Sequence, residues 1–186
     1  MELKLKTQRT PNPFAYKFVS HLSFKKEGKA TFNDLGQCAH IPLAEKILGL
    51  NNVTQVHFFG NSITVTQNGL APWDELIDRI EEIIGGEMPS HDENFQSAEE
   101  VRRQNLSPEL AQIETILDET IRPSLQMDGG DIEVLELSGN ILKIKYEGAC
   151  GSCPSAAGGT LFAIENTLRE NFREDLTVEI EEVGYE

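Results

Sequence analysis

Residues 132–154 read IEVLELSGNILKIKYEGACGSCP, and this stretch decides the fold of the second half of the chain. Two runs of alternating apolar and polar residues flank Gly139-Asn140, a pair that is typical of a β-hairpin turn. The second run leads directly into Cys150 and Cys153, and Pro154 suits the first turn of a following helix. The stretch therefore predicts a hairpin, a cysteine loop and then a helix.

The flanking residues extend this pattern into a small domain over residues 107–186. Ser107-Pro108-Glu109 is typical of a helix start, and that helix is predicted to kink or end at Pro123. Apolar residues recur at helical spacing after the cysteines and then alternate in a final strand: Leu161, Ile164, Leu168 and Phe172, followed by Leu176, Val178 and Ile180. The predicted order is helix, strand, strand, helix, strand, with a CxxC loop before the second helix.

Residues 1–86 predict a second small α+β domain. Its clearest element is a hairpin of Val53–Phe59 and Ser62–Gln67 across Gly60-Asn61, two residues that tolerate positive φ. A helix over 73–84 is predicted to end at Gly85-Gly86. Further strands are predicted around 16–20 and 30–32, with a short helix at Pro42–Leu48.

Residues 87–106 are mostly polar, with Phe95 as an isolated aromatic residue. A segment of this composition buries too little apolar surface to offset its ordering entropy. The sequence therefore predicts an α+β protein of two small domains, 1–86 and 107–186, joined by a flexible polar linker over 87–106.

Charge and hydropathy exclude several classes of partner. The chain has 186 residues and a formal net charge of −15, with 9 basic and 10 acidic residues in 1–90 but 7 and 21 in 91–186. Such an acidic half repels phosphate backbones, which argues against DNA or RNA as a partner. No apolar run approaches the roughly 18 residues that a membrane helix needs. Residues 1–9 lack both the apolar core of a secretory signal and a long Arg/Ser-rich amphipathic transit segment. These features predict no membrane partner and a cytoplasmic location.

The three cysteines are Cys38, Cys150 and Cys153, an odd number that argues against a disulfide framework. Cys150 and Cys153 lie where a strand ends and a helix begins, and the positive end of a helix lowers the pKa of a thiol and favours metal binding. We therefore interpret this pair as functional. Cys38 is interpreted as a small hydrophobic core residue without a ligand role.

Two thiolates do not complete a zinc site or an iron–sulfur cluster, each of which usually takes four protein ligands. None of the histidines, His21, His40, His57 and His91, has metal-ligand spacing to a second cysteine pair. A symmetric dimer would supply Cys150 and Cys153 twice and so place four thiolates around one centre. Two alternatives stay open: a thiol–disulfide oxidoreductase and a zinc-binding protein that uses the same CxxC.

Two other motifs favour structural roles. Thr10-Pro11-Asn12-Pro13 predicts a stiff extended loop with a turn, and Asp128-Gly129-Gly130-Asp131 predicts a turn before a strand. No catalytic constellation is recognisable in residues 1–86, and we interpret that region as an interaction module.

The motifs resemble those of a known family. Met127-Asp128-Gly129-Gly130-Asp131, Gly148–Ser155 (GACGSCPS) and Ile164-Glu165-Asn166 resemble the C-terminal domain of NifU proteins. The N-terminal domain of Nfu-type proteins is similar to two further stretches: Thr10-Pro11-Asn12-Pro13 with Lys17-Phe18, and Phe58-Phe59-Gly60 leading into Ile63-Thr64-Val65-Thr66.

This resemblance implies an iron–sulfur cluster scaffold or carrier rather than an enzyme. It implies that one four-iron four-sulfur ([4Fe-4S]) cluster is held per homodimer, through Cys150 and Cys153 of each subunit. The cluster would come from a donor scaffold and pass to apo iron–sulfur proteins as acceptors.

Overall fold

A computed structural model describes residues 3–151 and 156–181 and shows an α+β architecture built on two sheets. The first sheet has the strand order β1-β2-β5-β4-β3 and is antiparallel throughout. The second has the order β6-β7-β8, in which β6 and β7 are antiparallel and β7 and β8 are parallel. Within the described residues no helix is both long and apolar enough to cross a membrane.

The elements follow one another along the chain as two groups. The first group is β1 (Leu5–Arg9), β2 (Ala15–Ser20), β3 (Lys29–Phe32), α1 (Leu35–Cys38), α2 (Pro42–Leu48), β4 (Val53–Phe59), β5 (Ser62–Gln67) and α3 (Trp73–Glu87). After a 3-10 turn at Met88–Ser90 come α4 (Ala98–Arg103), α5 (Pro108–Thr120), α6 (Arg122–Met127), β6 (Gly130–Ser138), β7 (Ile141–Gly148), α7 (Ala156–Asn171) and β8 (Thr177–Ile180).

The first sheet packs its apolar face against α2 and α3. Phe18, Phe58 and Ile63 are fully buried, and Ile80 and Ile84 of α3 meet them in one core. The predicted hairpin of β4 and β5 has the predicted bounds, because an alternating pattern on both sides of a glycine turn defines both strands. Strand β1 at the sheet edge was not predicted, although Leu3 and Leu5 alternate with Lys4 and Lys6 where the strand begins.

Helix α3 continues through Gly85 and Gly86 to Glu87, so the predicted stop at these glycines is wrong. A glycine ends a helix when it takes the left-handed conformation, and neither of these glycines has a positive φ. Each glycine in a helix interior costs roughly 1 kcal/mol relative to alanine, which the packing of Ile80 and Ile84 offsets.

The second sheet is covered by α5 and α7. Ile113 and Leu117 of α5 and Ile164 and Leu168 of α7 are fully buried in one core with residues of β6 and β7. The first helix of this region ends at Thr120, and Pro123 lies in the first turn of the separate helix α6. A proline suits that position because its missing N–H would have no partner there.

The polar segment 87–106 contains a helix and several buried side chains. Ser97 caps α4 in a capping box with Glu100, Phe95 packs into the core of the first sheet, and Glu99 is buried. Arg102 donates to the Leu135 carbonyl of β6 at 3.2 Å, so the segment contacts both domains. The flexibility of this linker and the domain bounds at 86 and 107 stay predictions.

Candidate functional site

Cys150 follows the last residue of β7 by two positions and lies at the base of the second core. Its side chain is 8% exposed and packs with Tyr146 and the apolar residues of that core. Its N–H donates to the Glu147 carbonyl at 3.2 Å. Cys153, the second predicted ligand, lies outside the described residues, and Cys38 is buried in the other core. The structure therefore separates Cys38 from Cys150, as its predicted core role requires.

The predicted turn at 128–131 packs directly against Cys150. A Cβ atom placed on Gly130 would lie 2.3 Å from the Cys150 Sγ and 2.8 Å from its backbone N. Ala149 donates its N–H to the Gly129 carbonyl at 3.0 Å, and Gly129 has a φ of +82°. The glycines thus let this turn approach the cysteine, a contact that sequence reasoning missed although the glycine pair signalled it.

Three side chains of the first domain hydrogen-bond to the two residues before Cys150. Asn12 donates from Nδ2 to the Ala149 carbonyl at 2.9 Å, and Gln55 accepts the Gly148 N–H on Oε1 at 2.5 Å. Thr66 donates to the Gly148 carbonyl at 3.5 Å. The sequence indicated none of these contacts, because they join residues that are far apart in the chain.

Lys17 extends this interface to the end of α6. Its Nζ donates to the carbonyls of Gln126 at 2.9 Å and Met127 at 3.3 Å. Cations are favoured at the carboxyl end of a helix, where the last carbonyls lack partners within the helix. Met127 itself is 78% exposed.

A buried cluster of charges joins the two domains beside the cysteine loop. Lys29 of β3 lies with its Nζ 2.6 Å from Glu147 and 3.3 Å from both Asp131 and Glu99. It also donates to the Ile132 carbonyl at 2.6 Å. Burial alone would lower the pKa of Lys29, but the carboxylates of Glu147 and Asp131 raise it well above its usual value. Lys29 is therefore a permanent cation in a pocket built largely by the second domain.

Arg122 supplies the second buried cation of this region. Its guanidinium pairs with Glu114 at 2.7 Å, Asp118 at 2.5 Å and Asp131 at 3.1 Å. Burial alone would raise the pKa of Asp131, but the cations Lys29 and Arg122 together lower it. Asp131, from the predicted turn, thus bridges the two cations as a carboxylate.

His57 of β4 is buried against the cysteine loop. Its Nδ1 lies 2.8 Å from the Thr31 hydroxyl, and its Nε2 has no hydrogen-bond partner among the described residues. Burial lowers the pKa of His57, so the ring is neutral at physiological pH. A Cβ atom on Gly148 would lie 3.2 Å from the His57 ring, which shows how closely the first domain covers this loop.

Replacing Glu99 by glutamine should change how stability depends on pH. Burial raises the pKa of Glu99 to about 8 from 4.5, because Lys29 is shared with Glu147 and Asp131. Between these values the folded state holds a proton that the unfolded state has lost, so this contribution to stability is lost as pH rises towards 8. Glu99→Gln removes this loss.

We expect the free energy of unfolding of Glu99→Gln, measured by urea denaturation, to increase relative to that of wild type between pH 6.5 and 8. The difference should grow by about 1 kcal/mol per pH unit. The lowered pKa of buried His57 also makes stability depend on pH, but in the opposite direction. It decreases the free energy of unfolding as pH falls below 6.5, the ordinary pKa of histidine, and therefore below this pH range. A pH-independent difference between the two proteins would contradict the expectation.

No group of three or more histidine, cysteine, aspartate or glutamate side chains that could hold a metal ion occurs in the described part of the chain. His57 contacts the Thr31 hydroxyl through its Nδ1, and the nearby carboxylates of Glu147 and Asp131 pair with Lys29 and Arg122. Within residues 3–151 and 156–181, Cys150 is the one thiol of this loop.

Comparisons with known proteins match both halves of the chain. The family described as NifU-like domain matches residues 113–179, and the family described as Scaffold protein Nfu/NifU N terminal matches residues 5–91. NifU-like protein 5, mitochondrial, from Arabidopsis thaliana is 31% identical over 98% of this chain and 69% of its own length. The mitochondrial NFU1 iron-sulfur cluster scaffold homolog from Drosophila virilis is 29% identical over 89% of this chain and 57% of its own length.

A solution NMR structure of a NifU-like protein from Saccharomyces cerevisiae aligns with 52% of this chain and 86% of its own, at a TM-score of 0.44 and 21% identity.

The relatives correct the predicted location. The names of both the plant and the fly protein place them in mitochondria, which points away from a purely cytoplasmic location for this chain. The cytoplasmic prediction, which relied on the absence of a secretory signal and of a transit segment in residues 1–9, was therefore wrong. The identity to the plant protein extends over more than two thirds of that protein, and the two family matches cover most of this chain. The chain therefore belongs to the Nfu family of NifU-like scaffold proteins.

Proposed function

We propose that this protein is a non-catalytic carrier that holds a [4Fe-4S] cluster between two copies of the chain and delivers it to apo iron–sulfur proteins. The cluster is cargo, bound by Cys150 and Cys153 of each subunit. The observation that carries the proposal is the position of Cys150, at the end of β7 and three residues before a second thiol.

The number of ligands argues for two subunits. A [4Fe-4S] cluster takes four protein thiolates, and each chain offers two at this loop. The described residues contain no group of three or more histidine, cysteine, aspartate or glutamate side chains that could hold a metal ion. A two-fold axis through the cluster makes the four ligands equivalent in pairs.

Transfer then proceeds by ligand exchange. Each thiolate of an acceptor forms a bond to iron as one carrier thiolate leaves it, so neither the cluster nor the protein is oxidised or reduced. The dimer separates when its last thiolate has been displaced. The name of the fly relative, an iron-sulfur cluster scaffold homolog, supports this type of activity. Cluster donors and acceptors are proposed partners on the same basis.

Anaerobic reconstitution with iron and sulfide tests the proposal. We expect a brown dimer with about four irons and four sulfides per two chains. Cys150→Ser and Cys153→Ser should each reduce bound iron to background, because two of the four ligands are lost from every dimer. Cys38→Ala is the matched control and should bind a full cluster, since Cys38 is buried in the other core.

Other outcomes would contradict the cluster carrier. A colourless monomer that binds one zinc ion would support a zinc protein. A colourless monomer that forms a reversible disulfide between Cys150 and Cys153 would support dithiol redox chemistry. A full cluster on Cys150→Ser would show that the ligands lie elsewhere.

A further inference from the structure

We propose that the first domain positions the cysteine loop, with Asn12 and Gln55 as the positioning residues for Cys150. The proposal rests on the proposed function for its meaning, since it concerns how tightly the loop holds its cargo. It assigns a role to Thr10-Pro11-Asn12-Pro13, which the sequence alone indicates only as a turn.

The side chain of Asn12 is held in a position from which it contacts the cysteine loop. The motif forms a turn in which the Asn12 Oδ1 accepts the Phe14 N–H at 2.9 Å and the Asn12 carbonyl accepts the Thr10 hydroxyl at 2.9 Å. These bonds fix the side chain, which is 1% exposed, and aim its Nδ2 at the Ala149 carbonyl. A turn of the first domain thus ends on the peptide that precedes Cys150.

Gln55, on strand β4, hydrogen-bonds to Gly148, the residue before Ala149. Its Oε1 accepts the Gly148 N–H, and its Nε2 is anchored by Asn33 Oδ1 at 2.7 Å. Gly148 has a φ of +58°, a backbone conformation that residues with a side chain rarely adopt, and its carbonyl accepts the Gly151 N–H at 3.1 Å. Side chains of the first domain therefore hydrogen-bond to the backbone of both residues before Cys150.

A ligand loop held in this way binds its cargo more tightly than a mobile one. Partners that orient a ligand residue without touching the metal typically change metal affinity by 10–100-fold when removed. The physical reason is that a free loop must lose backbone entropy when its thiolate is fixed on iron. The first domain supplies that order before the cluster arrives.

A merely structural role for these residues would give a different pattern. Gln67 is a matched control: it is as buried as Gln55, lies on the neighbouring strand β5 and also bonds loop backbone. Its partners are Gly69 and Ala71, inside the first domain. Gln67→Ala therefore weakens the first domain without releasing the cysteine loop.

The test compares Asn12→Asp, Gln55→Ala and Gln67→Ala in the full chain. Asn12→Asp keeps the Oδ1 that accepts from Phe14 and replaces only the donor to Ala149. In the apo-protein, the rate of Cys150 alkylation is measured by site-resolved mass spectrometry relative to that of Cys38, which reports opening of the first domain. In the reconstituted dimer, the half-time of cluster loss to an iron chelator is measured.

We expect Asn12→Asp and Gln55→Ala to raise the ratio of Cys150 to Cys38 alkylation and to shorten the half-time of cluster loss about tenfold. Gln67→Ala should change neither. Equal alkylation ratios in all three variants would overturn the proposal, as would a longer half-time of cluster loss in the Asn12 and Gln55 variants, which would make the first domain a shield. If wild type takes up no cluster, the proposed function fails, but the alkylation ratio still decides this inference.

Discussion

Lys29→Met should lower the free energy of unfolding by about 3–5 kcal/mol, because it leaves buried carboxylates without their cation. The Lys29 Nζ is the closest cationic partner of Glu147 and is also shared with Glu99 and Asp131. Burial alone would raise the pKa of Glu147, but Lys29 lowers it, so the carboxylate depends on this cation. Urea unfolding at pH 7 measures the effect.

Two variants make the measurement specific. Lys143→Met removes an exposed lysine that pairs with Glu136 at 2.7 Å, and it should leave the urea midpoint unchanged within error because water screens that pair. Adding Glu147→Gln to Lys29→Met should recover part of the lost stability, since it removes the unpaired charge. Equal midpoints for Lys29→Met and Lys143→Met would contradict the role of Lys29.

The pH dependence of Lys29→Met should also differ from wild type. Without the cation, burial raises the folded-state pKa of Glu147 above its unfolded value, so the folded state binds the extra proton. The defect should therefore shrink as pH falls from 7 towards 5 and be largest at high pH. A defect that grows on acidification would contradict this assignment.

Gly130→Ala should displace Cys150 and abolish cluster binding. The new methyl group would lie 2.3 Å from the Cys150 Sγ and 2.8 Å from its backbone N, so the cysteine or the turn must move. Gly130 has no positive φ, and the effect therefore comes from this clash alone. Overpacking of this kind costs about 1–3 kcal/mol. We expect a folded protein that binds iron at the level of Cys150→Ser.

Gly159→Ala is the matched control in the same domain. It lies within α7, and a Cβ atom there meets nothing within 4 Å. The change should stabilise the protein by up to about 1 kcal/mol through its higher helix propensity and leave the bound iron unchanged. A normal cluster on Gly130→Ala would show that the Cys150 thiol needs no support from the turn at 128–131.

The sequence predicted most of the regular elements because their patterns are local. Strands β4 and β5 alternate on both sides of Gly60-Asn61, and this pattern specifies their bounds. The wrong helix stop at Gly85-Gly86 has an equally physical reason: glycine permits the left-handed conformation but does not impose it. In both hairpin turns only the glycine takes a positive φ, at +54° for Gly60 and +62° for Gly139.

Helix α4 makes contacts that its composition does not predict. Within this polar segment, Ser97 and Glu100 form a capping box, and Glu99 lies 3.3 Å from the Lys29 Nζ. The capping box is a local motif of residues 97–100, whereas the partner of Glu99 lies on β3. The charge of Lys29 lies in a different element, so no window around residue 99 contains this information.

The sequence by itself determined that two thiols lie three residues apart, because this spacing is a property of the residues and not of their surroundings. It also determined the two hairpins and the helices beside them, whose hydrophobic periods are read within a few residues. Only the tertiary structure decided that Asn12 and Gln55 bond the loop before Cys150 and that Lys29 pairs with Glu147, 118 residues away. Such contacts depend on how the two sheets and their helices pack together, and local periodicity carries no information about that packing.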